Sequence, residues 1–488
     1  MAAHLHSIRQ TLERSGEDVV SALYQLNTLL DYSTREEVIK AAEVISVQLL
    51  FDCLTSNDEE LVEVCCGALG KIFKALEPQK VCMYRGYIEL GLQHPFERVR
   101  QTCLDTLASL IGDPNVQEMV TTSTVFHLVT QTVGDPSLKC ANVTSNILFN
   151  LATQNKCSGD ALAVELQGIM HKDSVVRCRV YELAAKIAVS DDTLLGSMAS
   201  ILVGMVQELV SDDVLVQLNC IELLILLLES SGGRQFLEQH QIVAKIHSLL
   251  SMDRAVMLIP GALKFFGCMS SLKGTDVELL CSLYPGFLHT VLDALHHPEE
   301  GTTWGVAVDT FGVLGSLLPG RKALKMSGSR LEETLKQLGR LIREGRSEVR
   351  VRSMHTLNTI LSCPDDGQES RRWLTIALPQ PVATLLSIAR QPFPDLHMEA
   401  LGVILSLSQN HWGEQEMKVV PGFVEYLLDR RTETERPGKE LKYDIVHTLV
   451  SSSTAEHEFG SSVFVKLRKY DREGPFVVGE TTVAFQEA

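Results

Sequence analysis

The sequence predicts an all-α protein built by stacking helical repeats, and three observations support this fold class. The chain has 488 residues, more than the roughly 250–300 residues at which a single hydrophobic core stops growing. Apolar residues make up 45% of the chain and aromatic residues only 6%, a balance that favours packed aliphatic helices over sandwiches of strands. The third observation is an apolar pattern that recurs along the chain at a regular interval.

Each copy of this pattern has an acidic residue, then an aliphatic anchor, then apolar residues four, five and eight positions after the anchor. It is clearest in ERVRQTCLDTL, DSVVRCRVYELA, DVLVQLNCIELL and SEVRVRSMHTL. This spacing marks one face of a helix and fits no strand, which would alternate with a period of two. The anchors are Val62, Val99, Leu138, Val176, Val216, Ile259, Thr303, Val349, Leu396 and Leu441.

The anchors are about 42 residues apart on average, within the range of about 40–47 residues typical of HEAT and armadillo repeats. Stacking repeats cover each other's apolar stripes, so the core becomes continuous along the array. We therefore predict a curved α-solenoid of about ten to eleven HEAT/armadillo-like helical-hairpin repeats. A second apolar helix fits between anchors, for example at residues 123–132 and 242–251.

The repeat pattern also predicts how the chain is divided. We expect a solenoid over residues 1–450, with residues 1–30 as an N-terminal cap, and a short helix and extended tail over residues 451–488. Within the tail, residues 463–470 are the predicted helix, and the chain from residue 474 onward is predicted to be extended or disordered. Two segments, residues 362–372 and 430–440, are polar or contain Pro-Gly, so they are predicted loops.

The polar residues that flank the anchors have structural explanations. Asp173 and Asp213 each precede a predicted helix, where a carboxylate can accept hydrogen bonds from the first backbone N–H groups. Arg100, Arg177 and Arg350 directly follow three of the anchors. We expect these arginines to form a ladder in which each pairs with acidic residues of the adjacent repeat.

Charge and cysteine content limit the possible partners and the compartment. The net charge is −17, which disfavours binding to nucleic acid and to anionic membrane surfaces. The twelve cysteines form no disulfide framework, as expected in a reducing compartment. The N-terminus has no apolar signal region, and the longest apolar run, residues 221–228, is too short to span a bilayer. We expect a soluble cytoplasmic protein, possible also in the nucleus, that is monomeric before it binds a partner.

No segment of the sequence has the pattern of a catalytic, cofactor or metal site. Residues 315–322 superficially resemble a phosphate-binding loop, but no Ser or Thr follows Lys322 and no strand precedes the segment. The pairs His296–His297 and His240/His247 lack other ligands at metal spacing. Buried packing explains Cys65 and Cys66 better than redox chemistry. We therefore expect a protein without cofactors that is not an enzyme.

A solenoid usually binds its partners on its concave surface, commonly lined by the second helix of each pair, and we expect the binding residues to form a strip there. Positions three and six after an anchor lie off the apolar stripe and should face solvent, and Phe265 stands out among them as an aromatic residue. The simpler explanation is an ordinary solvated helix face. The candidate protein-binding residues are Arg179, Glu182, Asn219, Glu222, Lys264, Phe265, Asp309, Arg352 and His355.

Several strings in the middle and C-terminal repeats resemble one known family. They are RVYEL from residue 179, PGALKFFG from 260, GVAVDTFGVLGS from 305, QPFPDLH from 391, PGFVEY from 421, and LRKY from 467 with GPF from 474. Together, and in this order, they resemble the family of the 26S proteasome non-ATPase regulatory subunit 5. The resemblance covers nearly the whole chain and is weaker before Val99 and in the last dozen residues.

The resemblance implies a chaperone for assembly of the base of the proteasome regulatory particle. Family members bind the C-terminal domain of one ATPase subunit of the base. They hold an intermediate that contains ATPase subunits and a large non-ATPase scaffold subunit, and they leave before the mature particle forms. The alternative from the residues alone is another α-solenoid adaptor or scaffold, such as a transport receptor or a phosphatase scaffold.

Overall fold

Helices account for every regular element in the parts of the chain that this computed structural model describes, which are residues 2–14, 18–251, 253–364 and 367–476. The all-α solenoid fold is therefore confirmed. The α-helices are α1 (Ala2–Arg14), α2 (Val19–Asp31), α3 (Arg35–Ile45), α4 (Val47–Cys53), α5 (Glu59–Ala75), α6 (Pro78–Cys82), α7 (Arg85–Leu92), α8 (Glu97–Leu110), α9 (Pro114–Thr121), α10 (Ser123–Gln131), α11 (Leu138–Thr153), α12 (Gly159–Ile169), α13 (Ser174–Ser190), α14 (Asp192–Gln207), α15 (Val214–Leu227), α16 (Ser231–Gln239), α17 (Ile242–Leu249), α18 (Ile259–Ser271), α19 (Val277–Leu283), α20 (Pro285–Ala294), α21 (Thr302–Ser316), α22 (Leu318–Lys325), α23 (Ser329–Glu344), α24 (Ser347–Leu361), α25 (Gln368–Ala377), α26 (Pro381–Ala389), α27 (Pro394–Ser408), α28 (His411–Lys418), α29 (Phe423–Leu428), α30 (Arg436–Ser451), α31 (Ala455–Phe459) and α32 (Ser461–Glu473). Short 3-10 helices are Thr132–Gly134, Glu208–Val210, Asp253–Leu258, Pro298–Glu300 and Arg430–Thr432.

The chain forms two compact units, Met1–Ile242 and Val243–Ala488. In the first unit α2, α5, α8, α11, α13 and α15 pack side by side in chain order. In the second unit α18, α21, α24, α27, α30 and α32 do the same. The ten predicted anchors lie one on each of α5, α8, α11, α13, α15, α18, α21, α24, α27 and α30. We call these ten the anchor helices, and their solvent-facing side the anchor-helix face.

The predicted register is right on most anchor helices and wrong on three. On α8, the three residues four, five and eight positions after Val99 are buried, as predicted. On α11, however, Leu138 is 60% exposed, and the buried residues start at Cys140 and Ala141. On α5 and α18 the buried stripe starts one residue earlier than predicted. On α18, for example, Leu258 is buried while Ile259 is only half-buried. These helices are apolar at adjacent positions, so the spacing alone allowed more than one register.

Most repeats contain one more helix than the predicted hairpin. The predicted helices at residues 123–132 and 242–251 are present as α10 and α17. In addition, a short helix such as α9 precedes the hairpin helix. Asp113 caps α9 by accepting a hydrogen bond from the Asn115 backbone N–H, and Pro114 occupies its first turn. Proline suits this position because it needs no N–H partner there and its φ is already helical.

Both predicted loops are shorter in the structure than in the sequence analysis. Helix α25 begins at Gln368 inside the predicted loop 362–372, and α30 begins at Arg436 inside the predicted loop 430–440. Pro437 lies in the first turn of α30, where proline starts a helix rather than breaking one. The predicted helix at 463–470 lies within α32. Of the predicted extended tail, residues 477–488 lie outside the described residues. The boundaries of the cap and tail stay predictions.

Aspartates cap two anchor helices as the sequence predicted. The Asp173 carboxylate accepts from the backbone N–H of Val176 at 2.7 Å. Asp213 accepts from the backbone N–H groups of Leu215 at 3.0 Å and of Val216 at 3.3 Å. Each bond satisfies a donor that the helix itself leaves without a partner.

The arginine after the anchor bonds to the next repeat in all three predicted cases, and its partner is acidic in two of them. Arg100 makes a bidentate pair with Asp135, at 2.6 and 2.9 Å. Arg177 Nε donates to Glu208 at 3.0 Å. Each acidic partner lies just before the following anchor helix. Arg350 differs, because it donates to the side-chain amide oxygen of Gln391 at 3.1 Å. The predicted ladder is therefore confirmed, but the prediction of an acidic partner is wrong for Arg350.

Among the described residues, one segment, Asp192–Val210, is long and apolar enough to cross a membrane by length and composition, with a mean hydropathy of 1.5. The sequence prediction considered only the longest uninterrupted apolar run, residues 221–228, and did not identify this segment. The segment belongs to the helical stack, where α14 packs on α12, α13 and α16. Its buried residues are Leu194, Met198, Ile201, Leu202, Met205, Val206 and Leu209.

Candidate protein-binding surface

The structure places the nine predicted binding residues on five anchor helices, as two separate sets. In the first unit, Arg179 and Glu182 lie on α13, and Asn219 and Glu222 on α15. The set in the second unit consists of Lys264 and Phe265 on α18, Asp309 on α21, and Arg352 and His355 on α24. All of these side chains except Phe265 are exposed or half-buried. Apart from Phe265, the predicted residues therefore lie on the anchor-helix face, and their role in binding stays a prediction.

The prediction that Phe265 faces solvent is wrong. Its side chain is 0% exposed, and its ring packs edge-on against Phe266 with the centroids 5.9 Å apart. The cause is the register error on α18, which assigned Phe265 to an outward position. Measured from Leu258, Phe265 is seven residues along the helix, at the same place as the buried Leu183 of α13 and Leu223 of α15. Phe265 is a core residue and not a binding residue.

The predicted residues of the second unit form ion pairs between neighbouring anchor helices. Arg352 on α24 holds Asp309 on α21 with two hydrogen bonds of 2.9 and 2.5 Å, and this bonding raises the pKa of Arg352. His355 Nδ1 lies 3.8 Å from the carboxylate of Glu399 on α27. Exposed pairs of this kind contribute only about 0–1 kcal/mol to stability. Their charges therefore remain available to a partner.

In the first unit, Arg179 is held by the preceding repeat. Its Nη1 donates to the carbonyl oxygens of Val133 at 3.2 Å and of Asp135 at 2.7 Å. Glu182 pairs with Lys186 one turn later, at 2.6 Å. Both contacts fix charged groups on the outer side of α13. The oxygen of the Asn219 side chain is buried and has no hydrogen-bond partner among the described residues.

A groove of about 600 Å³ runs along this part of the anchor-helix face. Residues of α11 and α13 form most of its lining, and Leu226 of α15 also lines it. The lining residues are Asn142, Ser145, Asn146, Phe149, Arg179, Glu182, Leu183, Lys186, Val189, Ser190 and Leu226. Of the predicted binding residues, the groove thus brings together Arg179 and Glu182.

The sequence analysis missed Phe149, a half-buried aromatic residue in this groove. Its neighbours Ile147 and Leu148 belong to the buried stripe of α11, but Phe149 lies beside that stripe. The correct register on α11, starting from the buried pair Cys140 and Ala141, would have identified it. An aromatic residue on this face was predicted at Phe265, and the structure has it at Phe149.

A second group of charged residues lies inside the second unit and has a structural role. His397 follows the anchor Leu396, the position that Arg100 and Arg177 occupy in earlier repeats. Its Nε2 contacts Glu433 at 2.5 Å and its Nδ1 contacts the Ala389 carbonyl at 2.5 Å. The bond to Glu433 raises the pKa of His397. This pair therefore continues the ladder between repeats.

Lys442 completes this buried group. Its Nζ donates to the carbonyl oxygens of Tyr426 and Asp429 and to the Thr432 hydroxyl at 2.6–2.8 Å, and lies 3.6 Å from Glu433. Burial of its ammonium lowers its pKa to about 8. All donors of Lys442 are used, and the side chain is fully buried, so it does not reach a substrate from this position.

The remaining candidates for chemistry are also explained by packing. Cys65 and Cys66 are buried, and burial raises the pKa of both thiols. Arg321, in the segment that resembles a phosphate loop, is buried, donates to the carbonyls of Gly315 and Ile360, and lies 5.0 Å from the Trp373 ring. Among the described residues, no group of three or more His, Cys, Asp or Glu is arranged to hold a metal ion.

Solved structures with a similar fold include importin-β. Yeast importin-β (Kap95p) aligns with a TM-score of 0.63 and 12% identity over 96% of this chain and 59% of that chain. A crystal structure of importin beta aligns with a TM-score of 0.57 and 15% identity, over 96% of this chain and 63% of the other. At these identities the likeness shows a HEAT-type solenoid fold and does not indicate a shared function.

Curated relatives give more specific information, because they match almost end to end. The 26S proteasome non-ATPase regulatory subunit 5 of Bos taurus is 29% identical, with 98% of both chains covered, and that of Homo sapiens gives the same values. The Drosophila melanogaster protein of that name is 26% identical over 80% of this chain and 78% of its own. The family described as proteasome non-ATPase 26S subunit matches residues 1–488, and the chain therefore belongs to this family.

Proposed function

We propose that this protein is an assembly chaperone that holds ATPase subunits of the base of the 26S proteasome regulatory particle before they are incorporated. Membership of the family assigns it a proteasome-related role. The observation that carries the proposal is the match over residues 1–488, together with relatives named regulatory subunit 5 that align over 98% of the chain. The whole solenoid, and not only one repeat, is thus shared with these relatives.

The anchor-helix face supports a protein partner. It presents side chains of both charge signs on neighbouring helices, and in the first unit it adds an aromatic residue within a groove. Arginine and aromatic side chains typically carry most of the energy of protein interfaces. We propose that this face binds the C-terminal domain of an ATPase subunit, in an intermediate that also contains the large non-ATPase scaffold subunit.

We also propose that the protein acts by binding and not by catalysis, since its relatives are regulatory subunits and its fold is a HEAT-type solenoid. Its site of action is proposed to be the cytoplasm, with the nucleus as a further location. A transport receptor is the competing function, but the likeness to importin-β is at 12% identity and concerns the fold.

The test is a binding assay with purified full-length protein and purified C-terminal domains of the base ATPases. We expect one of these domains to bind, and exchange of Glu182 and Glu222 for Lys to change the association rate and its salt dependence, since charges at an interface rim mainly control association. The matched control exchanges Glu118 and Glu238 for Lys, because both are exposed but lie on α9 and α16, outside the anchor helices. Binding of a small GTPase of the nuclear transport type, with no ATPase domain bound, would contradict the proposal.

A further inference from the structure

The groove between α11 and α13 has an apolar floor at one end. Leu183 is buried there, while Phe149, Val189 and Leu226 are each half-buried. Half-buried apolar side chains from three neighbouring helices leave apolar surface in contact with water, and covering it is favourable. The volume of about 600 Å³ is within the range of roughly 300–1,000 Å³ in which ligands are commonly enclosed. The floor therefore suits one large apolar side chain together with its neighbours on a partner chain.

The charged residues of the groove are predominantly cationic. Its lining contains Arg179 and Lys186 but only one acidic residue, Glu182. Glu182 is already paired with Lys186. Arg179 uses Nη1 for two backbone carbonyls, which fix the guanidinium in place and leave Nε and Nη2 as further donors. Arg179 lies ten residues before Val189 on α13, which is about 15 Å along the helix. A fixed guanidinium in the same groove as the apolar floor is suited to a carboxylate, because its planar donors match the two carboxylate oxygens.

From this arrangement we propose that the groove binds an acidic segment of a partner protein, with one large apolar side chain packed beside Phe149 and Leu226 and a carboxylate further along the segment paired with Arg179. The inference rests on the proposed function, because the segment is taken to belong to the ATPase domain that the protein holds. It adds to that function the place of binding, which is the groove between α11 and α13, and the acidic character of the bound segment. The whole chain has a charge of −17 and attracts basic surfaces at long range, whereas this groove selects an acidic segment.

The two parts of the groove have separate mutational tests. Phe149→Ala removes the aromatic part of the floor and is expected to weaken binding about tenfold or more, as for aromatic residues at the centre of interfaces. Lys186→Glu reverses the charge beside Arg179 and is expected to weaken binding and to reduce its salt dependence. Lys186→Arg keeps the charge and should bind like the unmodified protein. Because Lys186 is exposed, its substitution tests the groove without disturbing the core.

The assay is fluorescence anisotropy with labelled, purified C-terminal domains of the base ATPases and the full-length protein. Matched controls are Phe393→Ala and Lys245→Glu, which change exposed residues away from the groove. If the unmodified protein binds and the groove variants bind no worse than these controls, the groove inference is wrong and the proposed function stands. If the unmodified protein binds none of the domains, the proposed function fails, and the inference fails with it.

Discussion

The substitution Phe265→Ala tests whether Phe265 belongs to the core of α18 or to a binding surface. We expect it to lower the stability of the protein, because the ring is buried. The ring is fully buried, packs edge-on against Phe266 and belongs to α18, which packs against the anchor helix α21. Removing a buried phenylalanine ring costs about 3–5 kcal/mol, because apolar contacts are lost and a cavity remains. Aromatic pairs contribute roughly 0.5–1.5 kcal/mol beyond the area that they bury. We therefore expect the free energy of unfolding to fall by at least about 3 kcal/mol.

The loss is large compared with the total stability of a typical domain, about 5–15 kcal/mol. Urea unfolding followed by circular dichroism at the helical minimum measures it. Repeat arrays can unfold in steps, so we expect an early transition that represents the second unit. Phe149→Ala is the control, because a half-buried surface residue should change stability far less. An unfolding curve for Phe265→Ala that matches the unmodified protein would show that Phe265 is not in the core.

Three other substitutions test the packing between repeats. Leu224→Asp places a charge at a position that is 0% exposed and should cost several kcal/mol; an unchanged melting temperature would contradict the assigned burial. Arg100→Ala leaves the buried carboxylate of Asp135 without its bidentate partner and should cost about 3–5 kcal/mol, whereas the double substitution with Asp135→Ala should cost less than the sum of the single ones in urea titrations. Hydrogen bonding to Glu433 raises the pKa of His397 above its unfolded value of 6.5, so its stabilisation is present below that pH and is lost as the pH rises through the folded-state pKa. His397→Arg places an arginine at this ladder position, as in the earlier repeats, and should remove this loss of stability with rising pH. The check is the melting temperature of both proteins from about pH 6 to 8. The same fall in melting temperature in both proteins would contradict the reasoning.

The repeat pattern predicted which segments become anchor helices, but it did not predict which face of each helix is buried. In α8 the stripe of apolar residues is narrow and bounded by polar residues, so its register is unambiguous. In α18, by contrast, Ala262, Leu263, Phe265 and Phe266 are all buried, and Lys264 is the only charged residue of the helix. Helix α18 therefore buries a wide face, and on such a face a four-position template fits in more than one register.

The groove could not be predicted because it depends on the distance between two helices and on side chains from three. Arg179 and Glu182 were assigned correctly to an outward face, since the register counted from Val176 holds on α13. Phe149 was missed because Leu138 was taken as the anchor of α11. The face of α11 that was predicted to be buried therefore differs from the face that is buried in the structure. The prolines at 114 and 437 illustrate a related point: both lie in first turns of helices, although the Pro-Gly at 437 had indicated a loop.

The central claim is that this protein holds ATPase subunits of the proteasome base before they join the particle. The most direct measurement is mass spectrometry of proteins that co-purify with the tagged full-length chain under mild conditions, compared with a variant in which Lys186 is exchanged for Glu. We expect the unmodified chain to recover base ATPase subunits and the large non-ATPase scaffold subunit without the 20S core particle, and the variant to recover less of both. Recovery of complete 26S particles with the 20S core, or of no proteasomal ATPase at all, would contradict the claim.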